Sequence, residues 1–214
     1  MIIINFKAYE EAIGEKAAVM AEICSKVSGE TGKKIIVSPQ AEDILRTSEF
    51  DVDVFSQHID HQETGSHTGH SIPEGVKSAG ASGTLINHSE RRIDPEKIRK
   101  SVERAGELGM TTVVCAQSPE EVEQFSSYGP DYIAFEPPEL IGGDTAVSQA
   151  EPEMIEEAVR RTEEGVETLT GAGIKDSRDV EKSLELGCSG VLVASGVVKS
   201  EDPGESLREL CKGL

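Results

Sequence analysis

Eight short β-branched runs, each followed by a stretch of helical pattern, predict an α/β fold for this 214-residue chain. Three observations sharpen that prediction into a closed (β/α)8 barrel, a single domain over 1–214. The strand runs are near-continuously apolar, as in Ile2-Ile3-Ile4, Ile35-Ile36-Val37 and Val191-Leu192-Val193, which suits a parallel sheet covered by helices. Strand and helix alternate strictly. The turn after the first strand reads Asn5-Phe6-Lys7-Ala8-Tyr9, without the G-x-G-x-x-G that an open doubly wound sheet carries there.

The strands are read at 2–6, 34–37, 52–55, 84–87, 111–115, 131–135, 167–170 and 190–194. The helices fall at roughly 10–28, 39–47, 73–80, 95–108, 119–126, 152–164, 177–186 and 204–212. Helix starts carry their own signals. Ser38-Pro39, Asp94-Pro95, Ser118-Pro119 and Asp202-Pro203 each set a capping oxygen before a proline at the first helical position. Ser118 and Glu121 have capping-box spacing. The longest irregular stretch, Gln57 to Ile72, follows the third strand. Loops of that length in compact domains are usually functional or interfacial.

Composition excludes several partners. The formal net charge is -19, from 40 acidic and 21 basic residues. Nucleic acid and anionic membranes both call for clustered cations. Acidic residues on the helix faces imply a solvated, repulsive surface and suggest a salty cytoplasm. Trp is absent and aromatics make up 4%, so the core must be aliphatic. Cys24, Cys115, Cys188 and Cys211 have neither metal nor redox spacing. They read as buried, reduced thiols in a reducing, cytoplasmic compartment. No apolar run approaches a membrane span.

The C-terminal ends of barrel strands form the reactive face. The first strand brings Asn5 and Lys7 to one side by alternation. The fourth ends Asn87-His88-Ser89-Glu90-Arg91 and the sixth ends at Glu136. The seventh and eighth run into Gly171-Ala172-Gly173-Ile174 and Ala194-Ser195-Gly196, small-residue turns suited to cradling a phosphate. Alone, a lysine is usually a surface cation, a histidine usually a satisfied structural residue, and these glycines usually turn residues. Their convergence on one face points to a site. After Glu136, two prolines and a glycine pair suggest a stiff exit and a hinged loop.

Four segments together resemble the triosephosphate isomerase family. They are Asn5-Phe6-Lys7, Asn87-His88-Ser89-Glu90-Arg91-Arg92, Glu136-Pro137-Pro138-Glu139-Leu140-Ile141-Gly142 and Gly171-Ala172-Gly173-Ile174. The Pro-Pro-Glu-Leu wording and the short length are similar to its compact archaeal branch. The resemblance covers essentially the whole chain. It implies a glycolytic and gluconeogenic isomerase, free of cofactor and metal, interconverting dihydroxyacetone phosphate and D-glyceraldehyde 3-phosphate. It assigns Glu136 as base, His88 as electrophile and Lys7 as cation, with Glu90 holding Lys7. It assigns Asn5, Phe6, Lys7, Ile141, Gly142, Gly173, Ala194 and Ser195 to substrate binding, and a closing loop to Glu139–Thr145. The chain departs from the family wording at Gly143-Asp144, where Thr-Gly is usual, and at Thr170, where this branch has Cys.

His58, His61, His67 and His70 fall in the long loop. The spacing permits a metal reading, but the inferred reaction needs none. Gly65-Ser66-His67-Thr68-Gly69 resembles the family's interlocking loop, implying a homo-oligomer through 57–72, a tetramer first and a dimer second. Two rivals stay open: another phosphate-binding barrel enzyme, and a non-catalytic barrel that binds.

Overall fold

A computed structural model describes residues 1–137, 152–171 and 173–214. Eight parallel strands close in sequence order: β1 (Ile2–Asn5), β2 (Ile35–Ser38), β3 (Asp53–Ser56), β4 (Gly83–Ile86), β5 (Thr111–Ala116), β6 (Tyr132–Phe135), β7 (Glu167–Thr170) and β8 (Gly190–Val193). The ring is sealed where Ile2, Ile3 and Ile4 pair with Val191, Leu192 and Val193. The expected (β/α)8 barrel is the observed fold.

Side-chain alternation divides the apolar residues into two layers. Ile3, Ile36, Phe55, Leu85, Val113, Cys115, Ala134, Leu169 and Leu192 fill the barrel interior, with every strand contributing. Their neighbours, such as Ile2, Ile4, Val37, Val54, Ile86, Val114, Ile133 and Val193, face outward against the helices. Both faces are buried, which explains why strands such as β1, β2 and β8 read as nearly unbroken apolar runs.

The helices are α1 (Glu15–Thr31), α2 (Ile44–Thr47), α3 (Pro73–Ser78), α4 (Pro95–Glu107), α5 (Pro119–Ser126), α6 (Pro152–Arg161), α7 (Ser177–Glu185), α8 (Ser195–Val198) and α9 (Pro203–Cys211). Three differences from the sequence reading have physical causes. The first helix does not begin at 10: a 3-10 turn, Glu10–Ala12, ends before Gly14 at φ 63°, and α1 starts at Glu15. Ser38-Pro39 is not a helix start, because Ser38 still belongs to β2 and the following turn begins at Ala41. The four-residue α8 is too short to show periodicity.

Capping is likewise uneven. Ser118 accepts from the Glu121 N–H, but the Glu121 carboxylate accepts from Gln117, one residue short of closing the box. Asp94 caps nothing with its side chain, whereas Asp202 accepts from Glu205. A complete capping box stands at Asp176 and Asp179, at the head of α7. All four cysteines are free and buried, and burial pushes the Cys24 and Cys188 thiols up to about 12. Among the described residues no helix is long and apolar enough to cross a membrane.

Candidate active site

Two residues beyond the interior layer, the inward positions turn polar. From Ile3, Ala134 and Leu169 the step leads to Asn5, Glu136 and Gly171. These residues line a cavity of about 180 Å³ at the C-terminal mouth, shared with Lys7, His88, Gly173, Ala194 and Ser195. That is room for a molecule of a few carbons. Three of the residues expected here are elsewhere or undescribed. Phe6 turns outward into the layer between sheet and helices, fully buried, and does not line the cavity; it obeys the alternation that directs Asn5 inward. Ile141 and Gly142, with the closing loop, lie outside the described residues.

His88 reaches the cavity by a break in alternation. Asn87 sits at φ 62°, in the left-handed region, which ends the extended run and redirects the next side chain. Asn87 is clamped for this: its Nδ2 donates to the Cys115 carbonyl at 2.9 Å, and its Oδ1 accepts from Ile93 N–H at 3.0 Å. Arg92 Nη1 donates to the carbonyls of Asn87 and Cys115, each at 3.3 Å, and pairs with Glu121. The Glu90 N–H donates to His88 Nδ1 at 3.2 Å. An accepting Nδ1 puts the neutral ring's proton on Nε2, the nitrogen that faces Glu136.

Lys7, at φ 47°, is the other non-glycine residue with positive φ among the described residues. Its N–H donates to Asn5 Oδ1, and its carbonyl accepts from both Gln40 and Gln57 side chains at 2.7 and 2.9 Å. Its ammonium meets Glu90 Oε1 at 2.9 Å. Sequence patterns carry no signal for Gln40 and Gln57, since their role depends on a strained backbone that only the assembled barrel creates.

Glu136 is buried, and Oε2 has no hydrogen-bond partner among the described residues. That oxygen stands 3.8 Å from His88 Nε2. Burial pushes the Glu136 carboxyl up to about 7, against the opposing pull of the Cys115 thiol, Lys7 and Arg92. Burial, reinforced by the Lys7 charge, drives His88 down to about 4. Near neutrality the pair is therefore a poised carboxyl and a neutral imidazole. Gly171 makes the space: a Cβ there would come within 2.5 Å of Glu136 Cγ.

Past the ends of β7 and β8, Gly173 at φ 72° and the exposed Ser195 and Gly196 present small residues to the cavity, with Lys175 alongside. In the long loop, His58 is turned inward and faces Asp60 at 3.3 Å, while the His67 and His70 rings pack edge to face.

The family profile described as Triosephosphate isomerase matches residues 1–213. A protein of Methanocaldococcus jannaschii named triosephosphate isomerase is 44% identical, covering 99% of this chain and 99% of its own. Proteins with that name from Methanosarcina acetivorans and Methanopyrus kandleri are also 44% identical, covering 99% and 100% of this chain and 97% of each relative. With barrel and motifs in agreement, the chain belongs to the triosephosphate isomerase family.

Proposed function

We propose that this chain interconverts dihydroxyacetone phosphate and D-glyceraldehyde 3-phosphate, with Glu136 moving the proton. One observation carries the residue roles: a buried carboxylate oxygen without a hydrogen-bond partner among the described residues, 3.8 Å from the His88 Nε2, inside a cavity with a cation on one side. A proton next to a carbonyl is very weakly acidic, so its removal needs a desolvated base and a donor aimed at the forming oxyanion.

In this reading Glu136 takes the carbon-bound proton while His88 Nε2–H donates to the carbonyl oxygen. The electron pair of the broken C–H bond becomes the enediolate. Glu136 then returns the proton to the neighbouring carbon, and the hydroxyl and carbonyl exchange places. Lys7 stabilises the negative charge, with Glu90 fixing its ammonium. Asn5 anchors the Lys7 backbone. Gly173, Ala194, Ser195 and Gly196 take the phosphate end, where small residues let backbone N–H groups approach an anion. Ile141 and Gly142 would complete the cover. Neither cofactor nor metal enters this scheme. A Glu base working with a neutral His is the arrangement already known for this family, and it is carried over to Glu136 and His88 rather than new to them.

The same proposal extends to setting. A glycolytic and gluconeogenic role in a reducing cytoplasm is supported by the substrate and the four buried thiols. The acidic excess supports a salt-rich interior. A homo-oligomer, tetramer or dimer, is supported by the exposed tip at 63–70 of the long loop. Exposed Ile13 and Leu45 add to it, since Gly14–Asp43 and Glu15–Arg46 contacts join their segments.

A coupled assay with glyceraldehyde 3-phosphate tests the activity. Expected is kcat/KM approaching about 10⁸ M⁻¹s⁻¹; absence of turnover in the folded protein would overturn the reading.

A further inference from the structure

Tyr9 belongs to none of the motifs that mark this site, yet it lines the cavity beside Lys7 and Ser195. The ammonium of Lys199 lies 5.0 Å from the centroid of its ring. Lys199 follows α8 directly, and its N–H donates to the Ser195 carbonyl at 3.0 Å. One turn of backbone thus ties Lys199 to the exposed Ser195 and Gly196 at the mouth. Among the described residues Lys199 has no carboxylate within ion-pairing distance, whereas Lys7 is bound to Glu90. A cation held by an aromatic face keeps its full charge, while one held by a carboxylate is partly neutralised. Lys199 does not line the cavity itself but stands against the Tyr9 ring that does; in a chain of net charge -19, a cation there offsets a field that otherwise repels a phosphate dianion.

We propose that Tyr9 and Lys199 are a positioning pair for the phosphate end of the substrate. The ring walls the cavity and seats the ammonium; the ammonium favours an anion held against Gly173, Ser195 and Gly196. Neither residue touches the reacting carbons, so the pair acts on binding, and the inference rests on the triose-phosphate reading above.

The test compares Lys199→Met, Lys199→Arg, Tyr9→Leu and Tyr9→Phe in the full chain. Each is assayed for kcat and KM with glyceraldehyde 3-phosphate and for competitive inhibition by inorganic phosphate. Lys199→Met and Tyr9→Leu should each raise KM and the phosphate inhibition constant about threefold to tenfold, with kcat within about twofold. Because they act as a unit, the double variant should be no worse than the more impaired single one. Lys199→Arg and Tyr9→Phe, which preserve charge and ring, should restore both constants. An unchanged phosphate inhibition constant in Lys199→Met, or a loss confined to kcat, would overturn the pair while leaving the isomerase reading intact. A folded wild-type protein without turnover would instead remove the reading on which the pair depends.

Discussion

Glu136 and His88 face each other, yet burial acts on them in opposite directions. A carboxyl raised from 4.5 to about 7 takes up its proton earlier in the folded chain than in the unfolded one as pH falls. Folding therefore binds a proton between those values, and this contribution to stability declines as pH rises through the window. An imidazole lowered from 6.5 to about 4 behaves the other way: its contribution declines as pH falls through that range. Two consequences can be measured with one variant. Glu136→Gln should slow turnover roughly 10²–10⁴-fold, the scale of a lost general base. It should also gain stability on the order of 3 kcal/mol at about pH 8 and none near pH 4, read by denaturant unfolding. Wild-type kcat/KM should fall on the acid side with an apparent pKa of about 7 as Glu136 becomes protonated; a profile flat down to about pH 5 would exclude Glu136 as the base. Gly171→Ala tests geometry without touching charge. The added methyl must displace the Glu136 carboxylate, and a shift of about 1 Å in a reacting group costs roughly 10²-fold in kcat.

At the scale of elements, the capping box on α7 joins the turn at Gly173 to the barrel wall. Asp176 accepts from the N–H groups of Arg178 and Asp179, and Lys175 N–H donates to Asp179 at 2.9 Å. Asp176→Ala should cost about 1 kcal/mol of stability, the usual value of a lost N-cap, measured from the urea midpoint at unchanged slope. Much at this scale was legible beforehand. Short β-branched or apolar runs located the strands, and proline after an oxygen-bearing residue marked the starts of α4, α5 and α9 to within a residue. It misled at Ser38-Pro39, because the same dipeptide also suits a strand exit, and only the sheet register distinguishes them. The site was legible where it follows alternation, as at Asn5 and Glu136, while Lys7 and His88 were read from the strand ends and motifs that carry them. What was not legible is how Lys7 and His88 are turned into the cavity, because there the backbone leaves the extended region. Alternation alone would have sent His88 away from the mouth, and nothing local in Asn87 or in Gln40 and Gln57 announces the clamps around the two left-handed residues. Phe6 shows the converse error: adjacency to two site residues in a motif did not bring it into the cavity.

For the molecule as a whole, charge is the largest unbalanced quantity. Forty carboxylates against 21 cations leave a net -19, and many of the cations already sit in pairs such as Arg99–Glu96 and Arg208–Glu30. Repulsion among the remaining carboxylates weakens the compact state and is screened over about 3 Å at 1 M salt. Thermal midpoints should therefore rise from dilute buffer to molar potassium chloride; a midpoint that falls or stays level would mean that surface repulsion is negligible here.

The seam between β1 and β8 has a consequence for how the protein is made. A finished ring offers no bare strand for another chain to add to, so the native molecule should tolerate crowding. Until the final strand docks, however, the nascent sheet is an arc with two open rims, β1 with its three isoleucines on one side and the threonine-bearing β7 on the other. Losses should then fall on assembly rather than on storage, with refolding yield dropping steeply with protein concentration while the native solution stays clear.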